Sequence, residues 1–283
     1  MIKIELPACM EVWDIASKSI VGVEVTANLL EAQELMTLNR ISRVVVFRVT
    51  TPIGMVTQKD LVRYLFQKLP EEDLPLIPVS EIMSKPLIII DAEKNVEDAA
   101  KLMTSNKISS LIVTNKSAEY GLLTKTDICT YFSKNGKGKF KVSEFMTKDV
   151  VTASILQSVI TIAERMTRAG ISRVVVIDKL GKPIGIATLS DITLFRSTLP
   201  ASGASMRKPY RRSQAEAQVL GISNLSIGGV MTPNPRTIDE NVDLAEAALI
   251  MSKNGIGGLP VISGNGKLVG MITKADIVRA YAQ

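Results

Sequence analysis

The chain of 283 residues predicts an α+β (mixed α/β) fold made of four small domains in tandem. Three observations lead there: a seven-residue phrase, Gly-x-x-Thr-x-x-Asp, that occurs four times; an apolar stretch of helical period ahead of each copy; and β-branched runs between the two. The copies run Gly54 to Asp60, Gly121 to Asp127, Gly185 to Asp191 and Gly270 to Asp276. Each follows an apolar run and leads into another. The phrase therefore reads as strand, tight turn and helix start, a geometry that presents backbone N–H groups to an anion.

The repeat extends upstream. Met36, Met103, Met166 and Met251 lie seven residues before Arg43, Ser110, Arg173 and Gly258, which in turn lie eleven or twelve before the motif glycine. Ahead of the methionines, apolar residues fall at helical spacing, as in Val96, Ala99, Ala100 and Met103, or Val159, Ile162, Ala163 and Met166. After them come runs beginning at Ile41, Ile108, Ile171 and Ile256. Each unit is thus predicted as strand, helix, strand, strand, helix, and the methionines and Trp13 are expected in the core. Three units carry a lead-in with a methionine, Met83, Met146 and Met231; the first has Ile15 and Ala16 instead.

Spacings of about 60 to 85 residues are too long for a solenoid, so the units read as domains: 1–70, 71–138, 139–200 and 201–283. Cores this small predict pairing with a neighbour. The division into halves is placed near residue 138, in the Gly- and Lys-rich link of residues 133–141, which reads as flexible. A second link, residues 67–78, is rich in Pro and acid. Residues 197–226 form an insert that breaks the rhythm, with Arg207, Lys208, Arg211 and Arg212 flanking Tyr210.

An apolar share of 46% suits a packed core, and no apolar run approaches the roughly 20 residues of a membrane span. The opening segment lacks an apolar h-region, so a cytoplasmic location is expected, with no membrane partner. Cys9 and Cys129 are too few for a disulfide framework and read as reduced core residues. A net charge of +6 makes an anionic ligand or partner plausible. Histidine is absent, which excludes Ser/His and Cys/His nucleophile pairs and a His-rich metal centre. With one motif Asp per site there is no two-metal arrangement either. No catalytic residue, no metal site and no required cofactor are expected.

On these motifs, all four units resemble CBS domains, and adjacent ones resemble the CBS pair called a Bateman module. The likeness spans nearly the whole chain except residues 197–226, and is greatest to four-CBS proteins similar to the γ regulatory subunit of AMP-activated protein kinase. It implies two Bateman modules, units one with two and three with four, in a pseudo-symmetric disc whose clefts bind adenosine nucleotides. By residue, it implies contacts from Thr57, Asp60 and Arg43 in unit one, Thr124, Lys125 and Asp127 in unit two, Thr152, Arg173, Thr188 and Asp191 in unit three, and Thr237, Thr273, Lys274 and Asp276 in unit four.

The residue types suit that ligand. At a helix N-terminus the Thr hydroxyl and free N–H groups favour phosphate oxygens, while the Asp repels phosphate but accepts from neighbouring ribose hydroxyls. Arg43 and Arg173 can grip phosphate bidentately, and Lys59, Lys125 and Lys274 add charge. A plainer reading stays open, in which Thr-x-x-Asp is a helix capping box and the glycine serves a turn. Units two and four carry Ser110 and Gly258 where the arginine would be, so one or two full sites are expected rather than four.

The implied function is a non-enzymatic sensor of AMP, ADP or ATP that signals to a regulated protein, whether kinase, transporter or enzyme, or that self-associates as a homodimer. S-adenosylmethionine is a rival ligand, although its sulfonium opposes the arginines. A regulator that contacts nucleic acid through the basic loop 207–212 is the alternative from another class.

Overall fold

A computed structural model describes residues 10–67, 77–192 and 225–283; the basic loop 207–212 and Cys9 lie outside the described residues. Unit one is β1 (Gly22–Glu24), α2 (Leu29–Leu38), β2 (Arg43–Arg48), β3 (Thr51–Thr57) and α3 (Gln58–Gln67), preceded by α1 (Val12–Ile15). Unit two is β4 (Ile89–Asp91), α4 (Val96–Ser105), β5 (Ser110–Thr114), β6 (Tyr120–Thr124) and α5 (Lys125–Asn135), preceded by a 3-10 turn, Val79–Glu81. Unit three is α6 (Val142–Phe145), β7 (Thr152–Ala153), α7 (Val159–Arg168), β8 (Arg173–Ile177) and β9 (Pro183–Thr188), continuing into helical residues 189–192. Unit four follows a 3-10 turn, Ile227–Gly229, with β10 (Thr232–Pro233), β11 (Ile238–Asp239), α8 (Leu244–Lys253), β12 (Gly258–Ile262), β13 (Leu268–Thr273) and α9 (Lys274–Tyr281). The strand, helix, strand, strand, helix order predicted for each unit is the order observed.

In every unit the first strand runs parallel to the second and the second antiparallel to the third, as in Gly22 against Val45 and Arg43 against Thr57. The crossover helix between the parallel strands starts under side-chain caps: Asn28 accepts from the Glu31 N–H at 3.0 Å, Asn95 from the Asp98 N–H at 2.7 Å, and Asp243 from the Ala245 N–H at 2.8 Å. Each of these helices ends at a residue with positive φ. In the first pair these residues are Arg40 (52°) and Lys107 (53°); in the second they are Gly170 (66°) and Gly255 (64°). The register methionines Met36, Met103, Met166 and Met251 are all buried, as expected, and Trp13 is half-buried.

Each unit has its own core, but the lead-ins cross over. Val12 and Ala16, ahead of unit one, pack into the core of unit two; Ile77 and Val79, ahead of unit two, pack into that of unit one. Val142, Phe145 and Met146 likewise join the core of unit four, and Ile227 that of unit three. Backbone bridges fix the exchange: Ser17 with Leu122, Met55 with Ser84, Thr147 with Met271, and β10 with β9. The apolar lead-ins do not cover their own units; each covers its pair partner.

This exchange corrects the reading of the motif glycine. Gly54, Gly121, Gly185 and Gly270 lie inside strands and have no positive φ, so they make no tight turn. They make room instead. A Cβ on Gly54 would sit 2.5 Å from the Met83 sulfur, and one on Gly270 would sit 2.5 Å from that of Met146; one on Gly185 would overlap Met231. At Gly121, where the first lead-in has Ala16 in place of the methionine, a Cβ would meet the Ser17 carbonyl at 3.3 Å, the Trp13 ring at 3.4 Å and Ala16 at 3.5 Å.

The sheets of units one and two meet through Val45, Met55 and Ile112, whereas helices join the pairs to each other. The closing helix α5 of unit two sends Cys129 and Phe132 into the core of unit four, and Val278 of α9 returns into that of unit two. Val62 of α3 enters the core of unit three. The link expected to be flexible is also tied down. The Gly138 N–H donates to Asp243 at 2.5 Å, the Phe140 carbonyl accepts from Leu244 at 2.9 Å, and the Phe140 ring meets Phe145 edge-on at 5.0 Å. Its Gly and Lys content marks a link, but Phe140 anchors it.

Candidate functional site

Each motif places its Thr at the last residue of a strand and its Asp in the first turn of the closing helix. The Asp accepts on one oxygen, Oδ2, from both the backbone N–H and the hydroxyl of the Thr. The two distances are 3.0 and 2.6 Å for Thr57 with Asp60, 2.7 and 2.7 Å for Thr124 with Asp127, 2.7 and 2.8 Å for Thr188 with Asp191, and 2.9 and 2.7 Å for Thr273 with Asp276. The capping reading is therefore real in all four units. It is also compatible with a ligand, because it uses one carboxylate oxygen and leaves Oδ1 to be accounted for.

That second oxygen divides the units. Oδ1 of Asp276 is ion-paired with Arg279 at 3.0 Å, and Asp276 is only 5% exposed. Oδ1 of Asp60 has Arg63 at 3.9 Å, beyond hydrogen-bond length. Among the described residues, Oδ1 of Asp127 and Oδ1 of Asp191 have no partner. The arginine responsible stands three residues after the aspartate; Thr130 stands there in unit two.

The cations converge from different units. Arg43, at the start of β2, reaches across its pair to donate to the Ser109 hydroxyl at 2.8 Å. Arg173, at the start of β8, reaches across the other pair, its guanidinium filling the space that a Cβ on Gly257 or Gly258 would need. A side chain at Gly258 would exclude it. Lys274 of unit four donates to the Thr126 hydroxyl of unit two at 3.0 Å, and Lys59 of unit one donates to the Gly170 carbonyl of unit three at 2.6 Å. The Ser190 hydroxyl and the Gln58 amide oxygen meet at 2.5 Å across the same seam.

Their electrostatics confirm one neighbourhood. Burial pulls the Arg43 guanidinium below its usual value, with Asp127 opposing; burial does the same to Arg173, with Asp276 opposing. Lys125 is pulled down by burial and then by repulsion from Arg43, and Lys274 by burial, with Arg173 and Arg43 adding repulsion. Asp276 is pushed up by burial, against the pull of Thr273, Arg279 and Lys125. Among the described residues, Arg43, Lys59, Lys125, Arg173 and Lys274 form no ion pair. These are partly dehydrated cations that repel one another, with Asp127 and Asp276 near them but no contact ion pair.

The structure thus gathers Arg43, Lys125, Asp127, Arg173, Lys274 and Asp276 where the units meet. Thr152 lies on β7 beside Val175, and Thr237 just before β11; neither makes a side-chain hydrogen bond among the described residues. Ser109, Thr126, Gly257 and Arg279 were not singled out from sequence. For Arg279 the signal was present, as an arginine one helical turn after the motif Asp in units one and four alone. A groove of about 720 Å³ elsewhere, lined by Glu24, Glu31, Glu34, Leu35 and others between β1 and α2, lies on unit one away from the motifs and carries the wrong sign for a phosphate. No group of metal ligands occurs among the described residues, and no helix among them is long and apolar enough to cross a membrane.

Comparison with known proteins is consistent along the chain. The CBS-domain family profile matches residues 12–67, 79–134, 142–197 and 227–283. A relative, the uncharacterized protein MJ1225 of Methanocaldococcus jannaschii, is 26% identical over 280 residues, covering 94% of this chain and 96% of its own. The crystal structure of MJ1225, described as a proposed archaeal homologue of γ-AMPK, superposes with a TM-score of 0.80 at 24% identity, covering 96% of this chain and all of the other. The chloroplastic CBS domain-containing protein CBSX1 of Arabidopsis thaliana is 30% identical over 166 residues, covering 55% of this chain and 70% of its own.

Proposed function

As this chain belongs to the CBS-domain family, we propose that it is a non-catalytic sensor that binds an adenosine nucleotide, AMP, ADP or ATP, where paired units meet, and that the bound state is read by a partner protein. The observation that carries the reading is the set of cations without a contact ion pair, Arg43, Lys125, Arg173 and Lys274, gathered near Asp127, whose Oδ1 is open. Phosphate neutralises the former and ribose hydroxyls donate to the latter. Three or four charge-assisted contacts, at roughly 1.5–3 kcal/mol each and less the cost of association, reach the roughly −8 kcal/mol of micromolar binding. S-adenosylmethionine fits less well, since its sulfonium meets the same cations.

The CBS-domain matches at 12–67, 79–134, 142–197 and 227–283 take up nearly the whole chain, which supports a non-enzymatic role. A ligand shifts such a protein only by binding two arrangements unequally, and the seams between units are the contacts that can repack. Calorimetry on nucleotide-stripped protein tests the proposal. Binding of an adenosine phosphate near micromolar, weakened by Asp191→Ala, is the expected result; no heat with AMP, ADP or ATP would discard it.

A further inference from the structure

Four copies of one motif invite the assumption of four equivalent sites, but the carboxylates are not equivalent. Each Asp spends Oδ2 on its own helix cap, so the capacity to accept from a ribose rests on Oδ1. In unit four that atom is already used by Arg279 at 3.0 Å. The arginine is itself held in place: its Nη2 donates to the Phe145 carbonyl at 2.5 Å, and its guanidinium lies 5.9 Å from the centre of the Phe145 ring. Phe145 belongs to the lead-in that crosses from unit three, so the clasp is braced by the pair itself.

We propose that Arg279 closes the fourth motif by occupying the Asp276 oxygen that a ribose would take, so that this cleft stays without nucleotide while those of Asp127 and Asp191 remain receptive. This inference rests on the nucleotide reading above and adds to it the identity of the closed site. The geometry distinguishes Arg279 from its counterpart in unit one. Arg63 stands 3.9 Å from Asp60 and hydrogen-bonds to neither oxygen at that length, so Asp60 is not closed in the same way. The closure lies in the side chain and not in the backbone. Thr273 and Asp276 keep the cap geometry of the open motifs, and Arg173 stands at Gly257 and Gly258 as Arg43 stands at Ser109. Arg279 is 49% exposed, so it can be replaced without opening a core cavity.

The experiment is the stoichiometry of AMP binding to the full chain by calorimetry. Arg279→Met, which keeps the stem over Phe145 and removes the charge, is expected to raise the number of bound AMP by one; adding Asp276→Ala to it returns the wild-type number. An unchanged number in Arg279→Met overturns the proposal. A crystal structure of the wild-type protein with AMP decides independently of that variant's folding: ribose hydroxyls on Asp276 overturn it, and an Asp276–Arg279 pair intact beside an empty cleft supports it. If wild-type protein binds no AMP, ADP or ATP, the functional reading itself fails and takes this inference with it. AMP bound on Asp276 in the wild type removes the inference alone.

Discussion

The corner where Arg43 meets unit two and the corner where Arg173 meets unit four have the same backbone and opposite states. In the first, Arg43 ends on Ser109 and the carboxylate of Asp127 keeps Oδ1 without a partner, because Thr130 one turn later turns its hydroxyl to the Thr126 carbonyl at 2.9 Å. In the second, Arg173 lies against two glycines and Asp276 is taken up by Arg279. A motif residue therefore does not define its own surroundings; the residue one turn beyond it decides whether the second carboxylate oxygen is paired within the fold.

The largest effect that would sharpen this contrast comes from Asp127→Ala. Losing charge-assisted acceptors of about 1.5–3 kcal/mol should weaken AMP at the first corner by roughly ten- to a hundredfold, measured by calorimetry. A loss under about threefold would mean that the open oxygen is not used.

The two corners also differ in how tightly the crossed lead-in is seated. Gly270→Ala brings a Cβ within 2.5 Å of the Met146 sulfur and 3.1 Å of the Thr147 carbonyl, and overpacking of this kind should cost about 1–3 kcal/mol in a denaturant titration. Gly121→Ala meets nothing nearer than the Ser17 carbonyl at 3.3 Å and should cost less. Equal losses at the two sites would break the account of the motif glycine as a seat for methionine.

A smaller gain is expected in the first pair. Arg40→Gly and Lys107→Gly, at φ of 52° and 53°, should each stabilise by a few tenths to about 1 kcal/mol, since the second pair already has glycine there. No gain would mean that these side chains make contacts worth as much as the strain.

The smallest effect is protonic. Lys125 and Lys274 titrate below 10.5 in the folded protein, so folding releases protons and stability rises as pH increases through their folded values toward 10.5. An anion that restores their charge must then take protons up. Calorimetry at pH values stepped up toward 10.5, in buffers of different ionisation heat, should show net proton uptake on binding; release would contradict the placing of the anion beside them.

The repeat, the element order and the buried methionines were legible because helical and strand periods are local properties. What Arg43, Lys125 and Asp127 share was legible only as a resemblance, since strand-start and helix-start residues from different units come together through packing. The glycine was misread because a turn and a close approach ask for the same residue, and the difference is the Met83, Met146 or Met231 opposite it. The missing methionine beside Gly121 was visible, but its partner was not, because nothing local says that a lead-in docks on the other unit. The link at 133–141 was judged by its glycines, while Phe140 and the distant Asp243 hold it.

The crossed lead-ins set the grain at which this architecture can be copied. A gene duplication that carried away one repeat would leave a strand with an unfilled notch at its glycine and a thioether with nowhere to lodge. A duplication of two closes both defects at once. Growth by even numbers suits these sterics, and a breakpoint near the link at 133–141 is one that leaves each half with both of its crossed lead-ins.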